Sequence, residues 1–179
     1  MNSRTSLQPF GAGSTAPVPA VAAEDDVHLC LFRVGADEMV LDIMRVREIL
    51  RPLPVTPLPR APLGVRGLLN VRGTVMPLVD LRVRFGLAPQ DLDPARRILV
   101  TLDRKRLHGI MVDAVTEVVR VPRAAITPGV GLLSGHAAHV FSGVVQYQGR
   151  MVLMLNLARL LALETPVAIP PVPAPGGAP

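Results

Sequence analysis

Of 179 residues, 49% are apolar but only 3% are aromatic, so any core must be filled with Val, Leu, Ile and Met. That length suits one ordinary domain or two small lobes sharing a core, and no apolar run approaches the ~18 to 20 residues of a membrane-spanning helix, so the chain reads as soluble, without direct membrane insertion. The formal charge of +5 comes from 18 arginines and one lysine spread along the whole chain, beside one Tyr and four Phe. Nucleic-acid binders concentrate their charge and interleave stacking aromatics, so no nucleic-acid partner is expected.

Residues 1 to 26 are small, polar and rich in Pro and Gly, and are expected to form a disordered tail. Pro9, Gly11, Gly13, Pro17 and Pro19 stand where a secretory signal would carry its apolar stretch, which points to a cytoplasmic protein. Period-2 alternation then predicts strands at His28 to Val34 and Glu38 to Met44, reversing at Gly35 to Asp37, and continuing through Val46 to Leu50. Cys30, the single cysteine, falls on the first of these and reads as a buried strand thiol. Five prolines between Pro52 and Pro62 cannot supply a full hydrogen-bond ladder and predict an ordered crossover loop. A hairpin comes next, Gly67 to Val71 and Thr74 to Val79, turning at Arg72-Gly73, with a short helix at Leu81 to Phe85 that stops at Gly86.

After a linker at Leu87 to Ala95 the plan repeats. Strands are predicted at Ile98 to Leu102, Leu107 to Val112 and Ala114 to Val121, then a loop over Pro122 to His139, a hairpin at Val144 to Leu155 and a helix at Leu157 to Leu163. The segment from residue 166 to residue 179, PVAIPPVPAPGGAP, is a Pro-rich tail of extended character.

The repetition is legible residue by residue. Gly67 to Phe85 answers Gly143 to Leu161 at an offset of 76 residues, with Asp80 opposite Asn156. Leu29 to Arg51 aligns on Ile98 to Arg120 at an offset of 69, placing Val46, Glu48, Ile49 and Arg51 opposite Val115, Glu117, Val118 and Arg120. Two segments recurring in the same order indicate a duplicated β unit. The expected fold is mainly all-β, with about ten strands closing into two five-stranded β-barrels packed together, and short helices.

No reactive constellation emerges. His136 and His139 form the only close histidine pair and lack a third ligand, so no metal and no cofactor is expected. Gly129, Gly131 and Gly135 do not have the spacing of a phosphate-binding loop. Ser134 and Ser142 lack a nucleophile setting, and the carboxylates are scattered over turns and strand edges. A two-lobed β protein of this kind is expected to work by offering surfaces, with no catalytic residue.

Four blocks of residues from Val27 to Leu163 resemble the CheW family of chemotaxis coupling proteins. They are VGADEMVLDIMRVREIL (Val34 to Leu50), VTPLPRAPLGVRGLLNVRGTVMPLVDLRVRFGL (Val55 to Leu87), GIMVDAVTEVVRV (Gly109 to Val121) and FSGVVQYQGRMVLMLNLARLL (Phe141 to Leu161). The second block is the most specific, with its P-x-A-P, the N-x-R-G turn and D-L-R-x-R-F-G-L. Val71 stands where the family usually has leucine, and Asn156 where it usually has aspartate.

The resemblance implies a CheW-like domain over residues 27–165, built of two intertwined SH3-like barrel subdomains, about 27–90 with strand exchange and 96–163. It implies a non-catalytic adaptor between two partners, the cytoplasmic tip of a methyl-accepting chemoreceptor and the regulatory domain of a CheA-type histidine kinase, at membrane-bound or cytoplasmic receptor arrays. The receptor-facing residues carried over are Val46, Glu48, Gly67 and Arg72; the kinase-facing ones are Leu41 and Ile43. Each has a bland alternative: Glu48 and Arg72 as a solvated pair closing the first barrel, Gly67 as a requirement of hairpin geometry, Leu41 and Ile43 as core. A rival reading is a CheW-like array spacer or competitor that binds neighbours without activating kinase.

Overall fold

The computed structural model describes residues 26–90, 93–129 and 140–162. Strands β1 (Asp26–Val34) and β2 (Asp37–Asp42) form the first hairpin, reversing at Gly35, whose φ of +64° suits a residue without Cβ. The second strand ends earlier than the alternation predicts. The Asp42 side chain accepts a hydrogen bond from the Met44 amide at 2.9 Å and caps a 3-10 turn, Ile43–Arg45, before β3 (Val46–Leu50).

The proline-bearing crossover leads to hairpin β4 (Val65–Val71) and β5 (Thr74–Asp80), then to a single helical turn, α1 (Leu81–Arg84). The second unit runs β6 (Arg97–Asp103), β7 (Arg106–Val112), β8 (Ala114–Pro122), a 3-10 turn, β9 (Ile126–Pro128), β10 (Phe141–Tyr147), β11 (Arg150–Leu155) and α2 (Leu157–Leu160). The short strand β9 falls inside the stretch predicted as loop. It forms because its backbone pairs with β10, Thr127 opposite Val144.

The strands assemble into two packed sheets, in the orders β8-β1-β2-β11-β10-β9 and β3-β6-β7-β5-β4. Under the offsets read from the sequence, β1, β2 and β3 correspond to β6, β7 and β8, and β4 and β5 to β10 and β11. The five strands of the smaller sheet then follow the same order as the first five of the larger, to which β9 is added at the edge. Each sheet takes its first hairpin from one unit and its remaining strands from the other, joined on one side by an antiparallel pair, β1 with β8 and β6 with β3, and on the other by a parallel pair, β2 with β11 and β7 with β5. The units are interlocked by strand exchange in both directions.

This topology explains why so many strands are apolar on both faces. In β1, Cys30, Phe32 and Val34 point into the core between the sheets, while Leu29 and Leu31 fill the interior of their own sheet with Val119, Val145 and Val152. The other sheet has its own interior, built on Leu69, Leu78, Ile98 and Met111. The few aromatics go to the shared core, where Phe85, just after α1, stacks on Phe141 at the start of β10, ring centroids 6.0 Å apart. Buried Arg84 donates to the Ala162 carbonyl at 3.1 Å and ties α1 to the end of α2.

Candidate interaction surface

The N-x-R-G turn is a self-contained device. Arg72 and Gly73 both have positive φ, 48° and 84°, as a tight two-residue hairpin turn demands. Asn70 Oδ1 accepts a hydrogen bond from the Gly73 amide at 2.9 Å, closing the turn from its own strand. Held this way, Arg72 reaches back across the sheet, and its Nη2 lies 3.2 Å from Glu48 Oε2 on β3. The pair anticipated from sequence therefore forms, joining the two outer strands of its sheet at the tip. Arg72 is 81% exposed. Ile49, next to Glu48, and Val75, just past the turn, are large apolar side chains that are also exposed.

The other carried-over residues do different work. Val46 is half-buried and packs against the core between the sheets, one side of a β-bulge whose other side is Glu48. Gly67 is buried in a bulge of β4, and a Cβ there would stand 2.2 Å from the Thr56 carbonyl oxygen. Thr56 comes that close because it exchanges two backbone hydrogen bonds with Leu68, at 2.9 and 2.8 Å. Leu41 lies in the inter-sheet core at 2% exposure, and Ile43 is partly buried against it.

The second unit repeats this surface with different chemistry. Glu117 on β8 stands where Glu48 stands on β3, and it accepts a hydrogen bond from Tyr147 Oη at 3.2 Å, at the tip of the β10–β11 hairpin. Gln148, the residue opposite Arg72, donates to that same hydroxyl at 3.0 Å. Burial and the Glu117 carboxylate raise the Tyr147 phenol above its ordinary value. The Glu48–Glu117 correspondence was visible in the sequence echo; the tyrosine was not, because it replaces an ion-pair partner with a neutral donor.

Sequence reasoning also missed a buried ionic network. Asp80, fully buried, caps α1 by accepting from the Arg82 amide at 3.0 Å, and receives Arg66 and Arg96 guanidinium groups, each at 2.9 Å. Asp113, between β7 and β8, accepts from Arg82 Nη1 and from the Gly35 amide, both at 2.7 Å, and faces Arg96 Nε at 3.6 Å. Arg66, Asp80 and Arg82 come from one hairpin and the turn that follows it, whereas Asp113 belongs to the second unit and meets Gly35 and Arg82 through the strand exchange.

Among the described residues, no three His, Cys, Asp or Glu side chains converge as metal ligands, and no helix is long and apolar enough to cross a membrane. His136, His139, Ser134, Gly131 and Gly135 lie outside the described residues. Burial pushes the Cys30 thiol up to about 11, which keeps it protonated and unreactive at neutral pH. Ser142 Oγ donates to the Met154 carbonyl at 3.3 Å.

Comparison with known proteins matches residues 28–165 to the CheW-like domain. The chain is 36% identical to the "Chemotaxis protein CheW" of Rhizobium meliloti (strain 1021), covering 76% of this chain and 88% of that one. It is 34% identical to "Protein FrzA" of Myxococcus xanthus, over 82% and 93% of the two chains. The crystal structure of the scaffolding protein TtCheW from Thermoanaerobacter tengcongensis superposes with a TM-score of 0.71, over 81% of this chain and 99% of that one, at 23% identity. The structural likeness speaks for the fold.

Proposed function

The chain belongs to the CheW-like domain family, and from that premise we propose that it is a chemotaxis coupling adaptor joining the tip of a methyl-accepting chemoreceptor to the regulatory domain of a CheA-type histidine kinase. It acts without catalysis, in the cytoplasm, at receptor arrays. The observation that carries this reading is the Glu48–Arg72 pair: a well-formed ion pair at an exposed hairpin tip, beside exposed Ile49 and Val75. Such a pair contributes only ~0–1 kcal/mol to stability, so its charges are available for recognition and the neighbouring aliphatics for contact area.

In this reading Glu48, Arg72 and the outer edge of Val46 face the receptor. Gly67 serves the same surface by letting the crossover segment at Thr56 close on the hairpin base. Leu41 and Ile43 act on the kinase side through the β2 end they anchor: Leu41 fixes the strand in the core, and Ile43 opens the 3-10 turn that exposes Met44.

Reconstitution tests the proposal. With receptor, kinase and this protein mixed, an adaptor makes kinase autophosphorylation depend on the receptor. A spacer joins the complex without that change, and an enzyme turns over a small molecule with neither partner present; either outcome overturns the reading. Glu48→Arg or Arg72→Glu is expected to weaken receptor binding at least several-fold while leaving unfolding free energy within about 1 kcal/mol.

A further inference from the structure

The internal duplication shows where this fold puts a carboxylate. In the first unit, the turn of the β1–β2 hairpin lies against α1, and the Asp113 carboxylate sits between them, bonded to the Gly35 amide and to Arg82 at 2.7 Å each. The offsets of 69 and 76 residues carry Gly35 onto Arg104 and Arg82 onto Ala158. Arg104 and Ala158 again face each other across a groove, here between the β6–β7 turn and α2, with a cavity of about 530 Å³. Arg106 and His108 line it from β7, Asp103 from β6, and Leu161 gives it an apolar wall.

The turn is unusually cationic. Arg104, Lys105 and Arg106 are all exposed, and among the described residues none of them forms an ion pair. Arg104 and Lys105 have φ of 45° and 67°, a conformation that Gly or Asn adopts at far less cost. Long basic side chains are kept at a position where local energetics favours others. Burial holds the His108 ring below its ordinary value, so it is uncharged at neutral pH and the two arginines supply the positive charge.

We propose that this groove binds a carboxylate-rich peptide segment of a partner protein, with the exposed guanidinium groups of Arg104 and Arg106 gripping its carboxylates. A concave site with an apolar wall suits a side-chain carboxylate on a peptide, which brings aliphatic stem and backbone with its charge, better than a flat anionic membrane or a polyphosphate backbone. The inference does not rest on the coupling function and stands or falls separately.

Amide NMR of the full chain, titrated with an acetylated hexapeptide of alternating Asp and Glu, tests it. Shifts are expected at residues 103–108 and 158–162. Fluorescence anisotropy with the labelled peptide should show affinity falling about tenfold or more in the Arg104→Gln/Arg106→Gln double variant, and much less in Arg104→Lys/Arg106→Lys. Shifts centred on Arg45 and Arg47 would overturn the proposal, as would unchanged affinity in the Gln variant. So would binding to phosphatidylglycerol vesicles or a DNA oligonucleotide without binding to the peptide.

Discussion

The two copies of the β unit use one backbone job in two electrostatic settings. Asp80 and Asn156 both end a hairpin and cap a single helical turn, Asp80 through the Arg82 amide at 3.0 Å and Asn156 through the Arg159 amide at 3.1 Å. Around Asp80 the space is filled by Arg66 and Arg96. Around Asn156, Ser142 stands where Arg66 would be, and a pocket of about 200 Å³ remains, bordered by Asp42, Arg45 and Asp103 and by Leu41, Met154 and Leu157. The reason lies in the path of the chain beyond α1. The linker there must return to β6, and the same arginines hold it: Arg96 and Arg66 donate to the Gln90 carbonyl at 3.1 and 3.3 Å, and Arg82 to that of Ala88 at 2.9 Å. Capping needs only an oxygen; fastening a linker needs a charge.

The largest effect is therefore expected from Asp80→Asn. The amide keeps the cap but strips the near counter-charge from Arg96, which is 1% exposed and keeps the Gln90 carbonyl and, as its remaining carboxylate, Asp113 at 3.6 Å. Breaking a buried pair from one side costs about 3–5 kcal/mol. Asn156→Ala removes a cap and no charge, and should cost about 0.5–2 kcal/mol. Urea unfolding of the two variants measures the gap; equal losses would mean that the network adds nothing to the cap.

Where the copies share geometry they should respond alike. Gly67 and Gly143 occupy equivalent bulges, and a Cβ on each would meet a carbonyl oxygen of the segment paired beside it, Thr56 of the crossover at 2.2 Å and Thr127 of β9 at 2.3 Å. Backbone cannot swing aside as a side-chain tip can, so the clash should cost Gly67→Ala and Gly143→Ala about 1–3 kcal/mol each by forced shift of the paired backbone, and Gly67, with a φ of 150°, should lose more than Gly143. Gly73→Ala meets no atom within 4 Å and bears only the cost of its φ of 84°, about 1–2 kcal/mol. Thermal melts rank the three, and a Gly67 variant of full stability that fails to bind receptor would place that glycine in the contact itself.

Local pattern made much of this readable. The hairpins, both helical turns and the Asp80–Asn156 correspondence come from period-2 alternation, turn residues and repetition, and the Glu48–Arg72 pair from the family resemblance. The pairing of strands across the units does not, because no segment's own pattern says which edge it will join. Leu41 shows the consequence: Met39, Val40 and Leu41 are buried in succession, since exchange covers both faces of β2, and alternation alone leaves the burial of Leu41 open. Strand β9 was hidden because three residues ending in Pro128 carry little strand signal without their partner. The buried arginines looked like part of a diffuse surface charge until Asp80 and Asp113 were brought to them.

The smallest expected effect separates the two hairpin tips. Glu48 meets a guanidinium and Glu117 a phenol, at the same 3.2 Å. A double-mutant cycle on Glu48 and Arg72 should give a coupling of ~0–1 kcal/mol that shrinks as salt rises from about 0.05 to about 0.5 M, since exposed charges are screened within a Debye length. The Glu117–Tyr147 cycle, read with Tyr147→Phe, should show a coupling that salt barely moves, because only one partner is charged. If both couplings fall together with salt, the tips are electrostatically equivalent. Arg72 would then have no distinction from its counterpart that a receptor could read through charge, and recognition at the first tip would have to come from Ile49 and Val75.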